Sequence, residues 1–332
     1  MALAVAALAL AGCASTPRAE TLLEGRTMGS AWTIKVAGPL PLPAEALRAG
    51  VQEQFDAIDR ALSTYRPDSA LSRFNADDSG EWLAIEPELA EVMAYGLSLA
   101  ERSGGAYDLT VGRLVNLWGF GPEGRRVEAP DPAAIEAARA RVGWRKVAVD
   151  VTQARARKQP GVRVDLSSLG KGRGVDRVAA WLDAHGVTDY LIDLSGKLRA
   201  RGRNAQGAAW RVAVEQPDAD DPGGAPRVVP VAVSLRDSSI ATSGDYRRYF
   251  ETGGRHFSHL IDPRTGMPVS HETLSATAQA QTCMQADALA TVFMVMPPAE
   301  ALRLADEMGI PTLLISRDAG GFRLARSTHW RE

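Results

Sequence analysis

Cysteine is scarce in this chain: its 332 residues contain 2, Cys13 and Cys283, which allows one disulfide at most and none once either thiol is modified. Charge of one sign is also missing. The 38 basic and 40 acidic residues leave a formal charge of -2, so no global field draws the protein to nucleic acid or anionic lipid, and partner recognition must be local. No repeat of the solenoid kind occurs. The GxxxxGK[ST] phosphate loop is absent, and although Gly170, Gly172 and Gly174 alternate, they do not form a GxGxxG fingerprint. What the chain does have is length and 45% hydrophobic residues, enough for one large cored domain or two closely joined ones.

The apolar run Ala2 to Ala11 is too short for a bilayer span, which takes about 20 residues. It closes with Leu10-Ala11-Gly12-Cys13. Small residues directly before a cysteine resemble the bacterial lipobox, in which the cysteine is acylated and the upstream peptide removed. No Lys or Arg precedes the run, so a true start upstream of Met1 is expected. The expected division is a signal peptide over residues 1–12, a lipid-anchored tether over 13–25 and a folded domain over 26–332. Ala14 carries no Asp-type retention signal, which leans toward the outer membrane of a Gram-negative host. With Cys13 acylated, Cys283 is the remaining thiol, and it reads as core filler because nothing near it lowers a thiol pKa.

Periodicity predicts a strand at Ala31 to Val36 and helices at Pro43 to Leu62, Pro87 to Arg102 and from Asp131-Pro132 onward. After residue 145 short β-like runs take over: Val147 to Val149, Val162 to Leu166, Tyr190 to Leu194, Trp210 to Glu215 and Val228 to Leu235. A helix at about Gly172 to Ala184 interrupts them. The Pro-, Gly- and Asp-rich stretch Gln216 to Arg227 reads as an exposed loop or hairpin. A helix bearing Asp287, another near Pro298 to Met308 and a strand pair around Thr312 to Ile315 and Phe322 to Ala325 complete the chain. Helices and strands mix without βαβ alternation, so the fold class is α+β.

Four segments carry chemistry. In Met284-Gln285-Ala286-Asp287-Ala288-Leu289-Ala290-Thr291, a carboxylate and a hydroxyl four residues apart share a helix face in apolar surroundings. Asp287 would then be a buried charge, compensated by a hard divalent cation or by backbone N–H groups that it caps. Val164-Asp165-Leu166-Ser167-Ser168-Leu169-Gly170-Lys171-Gly172 reads as a strand, a Gly- and Ser-rich turn and a helix start, suited to a phosphate or to a purely structural turn. Gly105 to Gly112, leading into Asn116-Leu117-Trp118-Gly119-Phe120, offers a ring pocket, although Trp118 and Phe120 read first as core. Finally, Ser239 to Tyr246 precedes His256-Phe257-Ser258-His259. The two histidines sit at odd spacing, so on a strand they face opposite sides and do not share a metal; one facing a cleft could act as a general base. Asp262-Pro263-Arg264-Thr265-Gly266 is a turn, and His185, His271 and His329 lack such context.

In this order the segments resemble the ApbE family of FAD:protein FMN transferases, from about Arg26 to Met308. The resemblance rests on Thr27-Met28-Gly29-Ser30, Leu62-Ser63-Thr64-Tyr65 with Ser69 to Asn75, Gly105 to Thr110, Asp165 to Gly172, Ala241 to Tyr246, His259 to Gly266 and Asp287 to Thr291. It implies a two-lobed, T-fold-like α+β fold with FAD in the cleft between lobes, Mg²⁺ on the pyrophosphate, and transfer of FMN to a Thr or Ser hydroxyl with release of AMP. Met28, Tyr65, Ala106, Tyr107, Asp108, Asp165, Lys171, Ser243 and Ile261 fall on its FAD-contacting positions. Asp287 and Thr291 fall on its metal ligands, completed by Ser168 or the carbonyl of Gly170, and His259 on the acceptor-deprotonating base. The implied partner is a flavin-acceptor protein, an extracytoplasmic segment of a membrane redox complex facing the periplasm or cell exterior; membrane contact is through the lipid anchor, and no nucleic acid is involved.

Two positions depart from the family pattern. Arg173 follows Lys171-Gly172 where an aromatic is usual, and Ser195 replaces a glycine in Asp193-Leu194-Ser195-Gly196. The first is expected to alter the cleft wall, the second to crowd a close backbone approach. Two other functions stay open on sequence: an FAD pyrophosphatase that uses water as acceptor, and a non-catalytic flavin-binding lipoprotein, which would need neither Asp287 nor His259.

Overall fold

A hairpin starts the fold: β1 (Glu20–Thr27) and β2 (Ser30–Ala37) pair antiparallel around Met28-Gly29. Both turn residues have positive φ, 45° and 70°, as a type I′ turn requires. The structure is a computed structural model and describes residues 18–217, 227–245, 249–318 and 321–331, so Cys13 and Tyr246 lie outside the described residues. The sheet begins at Glu20, within the stretch assigned to a tether and ahead of the expected boundary at 26. β1 is an edge strand that buries Leu23 and little else apolar, too weak an alternation to register as a strand.

Helix α1 (Ala44–Leu62) buries Leu47, Val51, Phe55, Ile58 and Leu62 along one stripe. Then come α2 (Ala70–Ala76), capped by the Ser69 hydroxyl, β3 (Leu83–Ala84), α3 (Pro87–Arg102), α4 (Gly112–Leu117), and α5 (Pro132–Arg139), capped by Asp131. Strands β4 (Val147–Asp150) and β5 (Arg155–Lys158) join β3 in a small sheet. The predicted strand at Val162 to Leu166 does not form; Arg163 makes one isolated bridge to Val111. Val162, Val164 and Leu166 are buried in alternation, but the Asn75 amide takes both backbone groups of Val164, at 2.7 and 2.8 Å. A side chain replaces the neighbouring strand there.

Helix α6 (Ser167–Ala184) begins at Ser167, not near Gly172, so the expected glycine-rich turn is helical. Three glycines oppose a helix on propensity, but tertiary packing decides otherwise. A Cβ at Gly172 would come within 2.5 Å of the Cys283 carbonyl, and one at Gly174 within 3.1 Å of Phe55. Strands β6 (Tyr190–Leu194), β7 (Lys197–Arg201), β8 (Trp210–Gln216) and β9 (Arg227–Leu235) follow. β8 and β9 pair antiparallel on either side of the Pro-, Gly- and Asp-rich stretch.

The chain continues through β10 (Ser238–Gly244), β11 (Tyr249–Thr252), β12 (Arg255–Ser258), β13 (Ile261–Asp262), β14 (Met267–Pro268) and β15 (Thr273–Ala280). It ends with α7 (Cys283–Val295), α8 (Pro298–Met308), β16 (Thr312–Asp318) and β17 (Gly321–Arg326). One antiparallel sheet in the order β1-β2-β6-β7-β10-β15-β16-β17 organises the molecule. Strand alternation sends its side chains to two faces. Trp32, Ile34, Val36, Tyr190 and Ile192 meet α1 and α6, and Ala276, Ala278 and Leu314 meet α7. On the opposite face, Ile240, Leu313 and Ile315 meet the β8–β9 pair.

Candidate active site

A cleft of about 1190 Å³ opens beside α6 and α7, and its walls come from segments far apart in sequence. Met28 of the first turn, Tyr65 after α1, Ala106, Tyr107 and Asp108, the Asp165 to Lys171 stretch, Ser243 of β10, His259, Ile261, Asp287 and Thr291 all line it. Every candidate site residue named from the sequence within the described residues is therefore gathered in one place. Phe120, Asp193, Ser195 and Thr242, from segments already singled out, join them, as do Lys197 and Glu215, which no sequence motif marked.

The deepest feature is the α6–α7 contact. Thr282 caps α7 by accepting from Gln285 N–H, and the Asp176 carboxylate of α6 accepts from Cys283 N–H and Met284 N–H at 2.8 and 2.9 Å. Burial raises the Asp176 pKa, and those two amides act against the rise. With the helix start already capped, Asp287 does not serve as the α7 cap. It is 2% exposed and turns to α6, where its Oδ2 accepts from Gly172 N–H at 3.1 Å. Its Oδ1 lies 3.3 Å from Lys197 Nζ. One turn later the Thr291 hydroxyl donates to the Asp287 carbonyl at 3.2 Å and lies 3.4 Å from the Ser243 hydroxyl. Cys283 is fully buried, and desolvation pushes its thiol pKa well up, as core filler requires.

The start of α6 supplies polar groups to the same wall. Asp165 accepts from Ser167 N–H at 2.8 Å, and its own N–H donates to the Leu109 carbonyl at 2.7 Å. The Tyr107 hydroxyl is 3.0 Å from the Ser168 hydroxyl, and burial holds that phenol neutral by raising its pKa. Asp108, which lines the cleft, also holds the loop that carries it. Its Oδ1 accepts from Thr110 N–H and hydroxyl at 2.8 and 2.6 Å, and its Oδ2 from Trp144 N–H at 2.8 Å. Both oxygens are used in holding the loop, so the side chain braces the wall.

Across the cleft stand aromatic groups and histidine. Trp118 is core, stacked 5.4 Å from Phe257. Phe120 is half-buried and reaches the cleft, with the His259 ring edge-on at 6.2 Å. The exposed Tyr65 donates its hydroxyl to the Phe120 carbonyl at 3.2 Å. His259 follows β12 and lines the cleft, whereas His256 lies outside its lining, 4.0 Å from Asp245. Because His259 lies past the end of β12, strand alternation does not set its direction.

The two departures resolve differently. Arg173 does not line the cleft; it pairs with Glu88 and, at 2.9 Å, with Glu91 of α3, and Arg177 joins Glu88 at 2.9 Å. An ion cluster between helices takes the place expected for a wall residue. Ser195 does line the cleft and has φ 53°, a left-handed conformation that favours glycine.

A model of the ApbE family matches residues 28–314. The chain belongs to the ApbE family. It is 39% identical to an FAD:protein FMN transferase of Klebsiella pneumoniae, over 98% of this chain and 94% of that protein. The solved flavin transferase ApbE of Vibrio cholerae superimposes with a TM-score of 0.86 at 36% identity, covering 95% of this chain and 99% of that one. The apo flavinyl transferase ApbE of Pseudomonas stutzeri gives 0.85 at 37% identity, covering 94% and 96%. The family match thus runs from the β1–β2 turn to the start of β16 and includes both helices that build the cleft, and the α+β class holds.

Proposed function

We propose that this protein is an FAD:protein FMN transferase that uses Mg²⁺. The observation that carries the reading is the convergence of a buried carboxylate, a hydroxyl one helical turn away and a histidine on one large cleft. In the balanced step, a Thr or Ser hydroxyl of the acceptor attacks the FMN phosphorus. A new P–O bond forms, the anhydride bond to the AMP phosphate breaks, and AMP leaves. His259 takes the hydroxyl proton as general base, while Lys171 and the first-turn amides of α6 offset charge on the phosphate oxygens.

The donor set fits Mg²⁺. Asp287 carboxylate, Thr291 hydroxyl, Ser168 hydroxyl and the Gly170 carbonyl are all hard oxygens. Among the described residues no cluster of three His, Cys, Asp or Glu could hold a metal; the proposed ion would take few protein carboxylates and complete its shell with phosphate and water. When bound, such an ion supplies charge neutralisation on the pyrophosphate. Asp165 braces the first turn of α6 through Ser167 N–H, and Tyr107 orients the Ser168 hydroxyl that would be a ligand.

Placement follows from Leu10-Ala11-Gly12-Cys13: we infer lipidation at Cys13 and work at a bacterial membrane surface, facing the periplasm or cell exterior. Among the described residues no helix is long and apolar enough to cross a membrane. The acceptor is inferred to be an extracytoplasmic segment of a membrane redox complex. Incubation with FAD, Mg²⁺ and a Thr-containing acceptor domain, read by in-gel flavin fluorescence, tests the activity. A fluorescent acceptor band lost on chelation supports transfer, whereas free FMN and AMP without a band would make the protein a pyrophosphatase.

A further inference from the structure

Lys197 opens β7, and no sequence motif marks it as part of the site. Its ammonium donates to the Thr242 carbonyl at 2.6 Å and stands 3.3 Å from Asp287 Oδ1; the lysine and aspartate side chains are 13% and 3% exposed. The other carboxylate oxygen is held by Gly172 N–H. Both oxygens of Asp287 thus have partners, but the partners differ in mobility. The Gly172 amide is fixed in α6 and its approach is set by close helix packing, whereas a lysine head rides on a flexible four-carbon stem. A divalent cation ligated by Oδ1 at about 2.0–2.1 Å would meet this ammonium at the same atom. Two cations that close, in a site largely shielded from water, repel each other.

We propose that Lys197 is a positioning residue acting as a placeholder cation: it neutralises Asp287 in the metal-free protein and releases Oδ1 when a divalent cation binds. The proposal rests on Asp287 being a metal ligand, as in the function proposed above. A buried carboxylate without a partner is costly, so the lysine partners Asp287 and keeps it oriented before loading. The same contact lowers metal affinity, because the ion must displace it. The Thr242 carbonyl retains the displaced lysine at the cleft wall.

The test is titration of Mn²⁺, followed by its EPR signal without flavin, into the wild-type protein and the Lys197→Met, Lys197→Gln, Lys197→Arg and Asp287→Asn variants. Thermal melting of each metal-free protein is recorded alongside. The Met and Gln variants are expected to bind Mn²⁺ about tenfold more tightly, as removal of a nearby like charge requires, while melting at lower temperature without metal. Arg is expected to restore the wild-type pattern in both readouts. A purely structural lysine would lower melting and leave affinity unchanged or weaker, and that result in folded Met and Gln variants overturns the proposal. Loss of Mn²⁺ binding in Asp287→Asn together with unchanged affinity in Lys197→Met removes only the lysine's role. Unchanged binding in Asp287→Asn removes the metal ligand itself, and the placeholder with it.

Discussion

The backbone N–H of Gly172 in α6 points at the carboxylate of Asp287 in α7, 3.1 Å away, across a close helix contact. The glycine is required there because a Cβ would sit 2.5 Å from the Cys283 carbonyl and 2.6 Å from the Met284 Cα. Both obstacles are backbone, which cannot rotate away. Gly172→Ala is therefore expected to part the two helices, lowering stability by about 1–3 kcal/mol and transfer activity with it. Urea unfolding and the transfer assay on the same preparation check this; a variant with normal stability and rate would show that the contact is loose.

Asp287→Ala should abolish metal-dependent transfer while the protein still folds, because the lysine it abandons keeps the Thr242 carbonyl at the cleft edge. Circular dichroism and flavin transfer, measured together, separate the two effects. Retained activity would exclude Asp287 from the reaction.

His259→Ala should slow transfer by about 10²–10⁴-fold, the usual contribution of a general base, with FAD binding little altered. Fluorescence titration of FAD and single-turnover transfer distinguish catalysis from binding. Equal losses in both would assign the histidine to the pocket wall.

Ser195 has φ 53° in the turn between β6 and β7, where a side chain adds strain and glycine adds none. Ser195→Gly should raise stability by about 0.5–1 kcal/mol, the relief of left-handed strain less the entropy glycine loses on folding. A lower melting temperature would mean that the serine hydroxyl has a compensating role in the cleft.

Asp245 gives a pH signature. Burial lifts its carboxyl to about 6, against the opposing pull of His256. The folded protein thus holds this proton more tightly than the unfolded chain, so the group's contribution is full below its usual value of 3.8 and is lost as pH rises through about 6. Asp245→Asn should therefore gain stability relative to wild type at roughly pH 8 more than at pH 5, by about 1.4 kcal/mol, since at pH 5 the unfolded carboxyl is already ionised and about half of the two-unit shift has been lost. Melting curves at the two pH values decide it, and a pH-independent difference would contradict the buried, shifted carboxyl.

Much of this was legible in the sequence, and the gaps have physical causes. Helices α1, α3 and α7 carry strong apolar stripes or runs and sharp starts, and they form as their patterns indicate. β1 escaped because an edge strand buries one face against little. The start of α6 escaped because glycine argues against helix locally, and only packing on α7 and α1 makes it worthwhile. Val162 to Leu166 looked like a strand because it is extended and alternately buried, yet its hydrogen bonds go to the Asn75 side chain. Motif order located the cleft residues; Lys197 was invisible because its link to Asp287 spans sequence-distant elements and belongs to no motif. Asp108 shows the limit in the other direction, since its place in the cleft was foreseen but its bracing of Thr110 and Trp144 was not.

The most direct test is intact-mass analysis of a Thr-containing acceptor domain after incubation with the protein, FAD and Mg²⁺. The expected result is a mass gain of one FMN, mapped by fragmentation to a Thr or Ser side chain, with stoichiometric AMP, and none of it after chelation or with Asp287→Ala. An unmodified acceptor beside free FMN and AMP would contradict transfer, and a modified acceptor in the presence of chelator would contradict the metal.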